Sequence, residues 1–117
     1  MTATSTDLRH LPGVVRTYLD AHARGDVPAA AACFTPAAVV VDDGSTYRGS
    51  EEIRGWLSRS STEYTYTTAP TAAVRRGTEH WNVVQRLEGD FPGGVADLDH
   101  DFTIDDARIT ALVISPV

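Results

Sequence analysis

The chain is short of cysteine. Cys33 is its single thiol, so no disulfide can close within it and a reducing compartment is permitted. No apolar run approaches the roughly 20 residues that span a bilayer, and Met1–Leu11 lacks an apolar core of signal-peptide length. Basic charge is scarce as well: ten Lys and Arg stand against sixteen Asp and Glu, a formal net charge of −6. Nucleic acids and anionic lipid surfaces are held by clustered cations, so neither is an expected partner, and a cytoplasmic location is predicted. There is no Gly-x-Gly-x-x-Gly or phosphate-binding loop for a nucleotide cofactor and no Gly-x-Ser-x-Gly elbow. No His-x-x-x-His pair or Cys cluster offers a zinc site. Asp97-x-Asp99-x-Asp101 opens like a calcium loop, but its sixth position is Phe102 instead of Gly and its twelfth Arg108 instead of Glu. No metal and no cofactor are expected.

The 117 residues, 42% apolar and 22% charged, suit one globular domain spanning 1–117 with a real core. Residues 1–6 are small and polar and are expected to fray. Leu11, Val15, Tyr18, Leu19 and His22 recur at helical spacing, with Pro12 in the first turn and Gly25 as a C-terminal cap. Asp26 can cap a second, Ala-rich helix over Val27–Phe34. Pro36 breaks the chain before a short buried strand, Ala38–Val41. Asp43-Gly44 signals a hairpin returning through Thr46–Arg48. Ser50 caps a third helix with Glu51 and Glu52 in its first turn and Ile53, Trp56 and Leu57 on one face. Strands follow over Glu63–Val74, His80–Phe91, Val95–Ile104 and Arg108–Ile114, with turns at Pro92-Gly93-Gly94 and Asp105-Asp106. Helices first and antiparallel strands after give an α+β domain with the helices on one face of a curved sheet.

Three residues could carry chemistry. Tyr18 lies on the apolar stripe, so its ring belongs inside; a buried phenol finds a partner, either a backbone carbonyl or a ligand. Asp42 ends the apolar run Ala37–Val41; it either makes the turn or faces a pocket, where lost hydration would raise its pKa and fit it to take a proton beside a carbonyl. Arg48 could pin Asp42 or Asp43 in an ion pair. Alternation puts Leu98, His100, Phe102 and Ile104 inside and Asp97, Asp99, Asp101 and Thr103 outside. His100 is therefore a core histidine, a hydrogen-bond donor or a proton shuttle. Trp56, Trp81 and Phe34 are candidate pocket walls within an aromatic set that otherwise fills the core. His80 and Trp81 are neighbours on a strand, so one of them faces inward. Val84 faces one side of that strand and Trp81, Val83 and Leu87 the other, so both faces want cover.

The order of elements through YLDAHARGDVPAAAACFTPAAVVVDDGSTYRGSEEIRGWL, from Tyr18 to Leu57, resembles the ketosteroid isomerase and SnoaL-like polyketide cyclase branch of the nuclear transport factor 2-like superfamily. The resemblance covers about Leu11 to Ile114. It implies a cone of mostly antiparallel sheet wrapped around three N-terminal helices, a pocket for a small apolar molecule, and a homodimer through the outer sheet face. It also implies roles. Tyr18, eight residues before Asp26, matches the oxyanion-donating tyrosine, and Asp42, eight residues after Phe34, matches the catalytic base. His100 falls where the isomerases carry a protonated aspartate, a departure that counts against steroid isomerisation itself. Two functions stay open: a cofactor-free isomerase, cyclase or dehydratase acting on a carbonyl-bearing apolar metabolite, and a non-catalytic ligand-binding or dimerisation module of the same fold.

Overall fold

Helix α1 (Gly13–Ala23) starts behind Pro12 and buries Val15, Tyr18, Leu19 and Ala21 along one stripe; Gly25, at φ +69, ends it. Asp26 caps α2 (Val27–Ala31), its carboxylate accepting from the Ala29 N–H at 3.1 Å. The computed structural model describes residues 4–117. In it α2 is shorter than the predicted Val27–Phe34, because Phe34 already opens strand β2 (Phe34–Asp42). The strand passes through Pro36 instead of breaking there. A register shift between Phe34 and Val39 takes the proline, which has no N–H to give, out of the ladder. Asp43 and Gly44, at φ 51 and 77, make the two-residue turn into β3 (Ser45–Arg48).

Helix α3 (Gly49–Thr62) starts earlier than predicted. Its N-cap is Arg48, whose N–H donates to Glu52 Oε1 at 2.9 Å; Ser50 lies inside the first turn and does not cap it. Ile53, Trp56 and Leu57 are buried on one face as expected. Because α3 runs on to Thr62, the next strand, β4, is Tyr66–Arg75. Then come β5 (His80–Gly89), β6 (Val95–Asp105) and β7 (Arg108–Pro116). Thr4–Thr6, predicted to fray, form β1 against Ala73–Arg75 of β4; residues 1–3 lie outside the described residues.

The strands form one curved, unclosed sheet in the order β1-β4-β5-β6-β7-β2-β3, antiparallel except where β2 runs parallel to β7. The three helices cover its inner face. Val40, Val83, Phe102 and Leu112 from the sheet and Val15, Tyr18, Ile53 and Leu57 from the helices form the centre of the core. Among the described residues no helix is long and apolar enough to cross a membrane.

Strand alternation sorts the two sheet faces. Leu98, His100, Phe102 and Ile104 point inward, as does Trp81, which is 7% exposed. His80 faces outward and pairs with Asp101. The expected acidic row is offset across the strand pair: Asn82 donates to Asp99 at 2.8 Å and Arg86 lies opposite Asp97. One register rung carries two polar residues across the sheet. Asp42 of β2 lies beside Ile114 of β7, Ile114 beside His100 of β6, and His100 beside Val83 of β5.

Candidate active site

Beyond that rung helix and sheet part, and a cavity of about 560 Å³ opens between them, with His22 of α1 and Trp56 and Ser60 of α3 in its lining. Asp42 reaches its wall from the end of β2. The Trp56 Nε1–H, from α3, donates to Asp42 Oδ2 at 2.9 Å. The other oxygen, Oδ1, has no hydrogen-bond partner among the described residues. Arg48 does not pair with Asp42 or Asp43; its ordered contact is the backbone bond to Glu52. Both aspartates reach the cavity, Asp42 half-buried in it and Asp43 exposed at its rim, where it also makes the hairpin turn.

His100 also lines the cavity. It is 3% exposed, stacked on Phe102 with ring centroids 6.2 Å apart, and held at both ring nitrogens: Nε2 lies 3.1 Å from Gln85 Nε2 and Nδ1 lies 3.4 Å from the Leu98 carbonyl. Burial pushes its pKa down to about 4, so the ring is neutral at pH 7. A proton on Nδ1 satisfies the carbonyl and lets Nε2 accept from the Gln85 amide.

Tyr18 is placed differently. It is fully buried, edge-on to Phe34 at 5.5 Å and to Phe102 at 5.7 Å, and is not among the cavity-lining residues. Its hydroxyl has no hydrogen-bond partner among the described residues, and burial raises its pKa far above the phenol range, helped by the nearby Tyr66 and Asp42. Phe34 packs beneath Tyr18 and does not line the cavity. Trp81 lies under the Arg75 guanidinium at 5.3 Å, also away from the cavity lining. Of the six residues singled out from the sequence, the cavity thus brings together Asp42, His100 and Trp56.

Two wall residues escaped the sequence reading. His22, one helical turn beyond Tyr18, stacks on its ring at 5.8 Å and lines the cavity. Burial lowers its pKa, opposed by the negative charge of Asp42, and its Nδ1 has no partner among the described residues. The signal was its place on the apolar stripe, four residues after Tyr18. Gln85 is 1% exposed, and its Oε1 is likewise unpartnered. Its signal was position: it alternates with Trp81, Val83 and Leu87 on the inner face of β5. Among the described residues no group of three His, Cys, Asp or Glu side chains is arranged to hold a metal ion.

This architecture is that of a known family. The SnoaL-like domain model matches residues 15–112, and the chain belongs to that family. A crystal structure from Sinorhizobium meliloti, provisionally assigned as a polyketide cyclase, is 32% identical, with a TM-score of 0.88 over 94% of this chain and 100% of that one. A Catenulispora acidiphila protein of ketosteroid isomerase-like fold, solved in complex with trimethylamine, is 21% identical, with a TM-score of 0.79 over 89% of this chain and 85% of the other. A nuclear transport factor 2-like protein of unknown function from Cytophaga hutchinsonii is 12% identical, with a TM-score of 0.72 over 89% and 87% of the two chains. Among curated proteins no relative matches the chain.

Proposed function

We propose that the chain is a cofactor-independent enzyme that moves a proton on a small carbonyl-bearing molecule, as an isomerase, cyclase or dehydratase, with Asp42 as general base. One observation carries this reading: the Asp42 carboxylate is fixed through Oδ2 by Trp56 and leaves Oδ1 free at the wall of a ligand-sized cavity. In the step proposed, the C–H bond next to the carbonyl breaks, its proton goes to Asp42 Oδ1, and its electron pair moves to the carbonyl oxygen. The oxyanion-donor role expected of Tyr18 passes in this proposal to His22, a neutral imidazole that reaches the wall while the phenol lies sealed below it. His100 acts as a positioning residue, because both its nitrogens are engaged inside the wall. A homodimer through the outer sheet face belongs to the same proposal. It is supported by Val113, 42% exposed, which lies beside Val41 on that face.

One feature favours the alternative of a ligand-binding module without chemistry: few free donors face the cavity to stabilise an enolate. Proton exchange separates the two. Incubated in D₂O with a panel of small ketones and followed by NMR, the wild type should accelerate exchange next to the carbonyl. Asp42→Asn should lower the rate by about 10²–10⁴-fold with an unchanged circular dichroism spectrum. Exchange undiminished in Asp42→Asn would exclude it as the base, and no exchange by the wild type over the whole panel would favour the binding module.

A further inference from the structure

We infer that the cavity selects a ligand carrying a positively charged alkylammonium group, and that this charge complements a wall of carboxylates and aromatic faces without a basic residue. The inference rests on the cavity being the ligand site of the proposed function, but not on any reaction taking place there.

Charge comes first. Three carboxylates line the cavity: Asp42 inside and Asp43 and Glu63 at its mouth. The ten basic residues of the chain are all arginine, and none of them is in the lining. Its two histidines are neutral at pH 7, their protonated forms disfavoured by burial. A ligand entering this space therefore meets uncompensated negative charge in a half-enclosed site, where screening is weaker than at open surface.

Hydrogen-bond polarity points the same way. Apart from the His22 imidazole and the exposed Tyr64 and Ser115 hydroxyls, the wall's donors are turned into the protein. Trp56 N–H is spent on Asp42, the Tyr66 hydroxyl donates to the Ser60 carbonyl at 2.8 Å, and His100 sits between Gln85 and the Leu98 carbonyl. Asp42 Oδ1 is free at the wall, and the buried Gln85 amide oxygen has no partner among the described residues. An orphaned buried acceptor is costly unless something donates to it. At the mouth, Tyr64 and Phe91 meet edge to face, with centroids 6.1 Å apart, and offer the ring surfaces on which alkylammonium groups rest. A cationic substrate also eases the proposed chemistry, since its own charge offsets the enolate that would otherwise form among carboxylates.

The test compares three molecules of matched shape on the wild-type protein: choline, its uncharged carbon isostere 3,3-dimethyl-1-butanol, and the anion 3,3-dimethylbutanoate. Binding is followed by the NMR shift of the Trp56 indole N–H, which lies at the wall. Choline should bind at least about tenfold tighter than the alcohol, and the anion should not bind. The preference should shrink at high salt and in Glu63→Gln and Asp43→Asn. The alcohol binding as tightly as choline, or the anion binding tighter, would overturn the inference and leave the cavity reading intact. No shift with any of the three would overturn both. Choline preference without proton exchange on ketones would sustain the inference while the catalytic reading falls.

Discussion

Replacing His100 by glutamine should flatten the acid dependence of stability. His100 is 3% exposed and its pKa is pushed down from 6.5 to about 4, chiefly by burial, with the nearby His22 adding to the effect and the Leu98 carbonyl opposing it. Between those two values the unfolded chain binds a proton at this position and the folded protein does not. Stability therefore rises with pH through the window; it is fully present above 6.5 and is lost as pH falls toward 4. At about 1.4 kcal/mol per pH unit, the gap corresponds to about 3 kcal/mol. His22, also lowered by burial, contributes in the same direction in both proteins, and the groups common to both largely cancel in the comparison. Urea denaturation at pH steps from 4 to 7.5 should show the wild type gaining on His100→Gln by about 3 kcal/mol across the window, whatever the offset between them at neutral pH. Parallel stability curves, or a His100 ring that titrates near 6.5 by NMR, would refute the reasoning.

Trp56→Phe removes the 2.9 Å bond to Asp42 Oδ2 and should lower stability by about 1–2 kcal/mol; if Asp42 is the base, kcat falls while KM moves little. A fall in KM-related binding alone would mean that Trp56 serves as a wall and not as an orienting group. Gly89→Ala would set a Cβ 2.4 Å from the Thr65 carbonyl oxygen and 2.5 Å from Tyr66 Cβ, so urea denaturation should register a loss on the order of 2–3 kcal/mol. An unchanged midpoint would show that β4 and β5 part there without cost.

Features set by neighbouring residues were legible in the sequence. Asp43-Gly44 and Pro92-Gly93-Gly94 make their turns through positive φ at Asp43, Gly44, Gly93 and Gly94, and the inward set on β6 follows from period-two alternation alone. Features set by distant partners were not. Pro36 reads locally as a break, yet β2 continues through it because β7, more than seventy residues on, supplies a parallel edge and a register shift absorbs the missing donor. The site was legible to the same depth. The stripe carrying Tyr18 and His22 is plain, but which of the two reaches the cavity depends on where the sheet stops being covered. That is a difference of one helical turn, about 5.4 Å.

That limit of helix packing explains why there is a cavity and why a carboxylate sits at its wall. Strands β5 and β6, of 10 and 11 residues, extend roughly 33–36 Å. Helix α1, of 11 residues, is only about 16 Å long and α3, of 14, about 21 Å. Helices this short cannot pack against strands this long over their whole length, so the inner face divides into a packed part and a part that faces the cavity. The rung through Trp81, Phe102, Leu112 and Val40 is fully covered and forms core. Gln85, Leu98 and Pro116, on the rung two residues past Asp42 and His100, all line the cavity. The rung carrying Asp42, Ile114 and His100 lies at the boundary. It is close enough to the helices for Trp56 and Gln85 to fix its polar groups, and far enough out for one carboxylate oxygen to stay free. Asp42 and His100 are two strands apart there, roughly 10 Å, with Ile114 between them as an apolar floor. A shift of β2 by one residue against β7 would turn Asp42 to the outer face and bring Val41 inward, so the site depends on the one parallel register in the sheet.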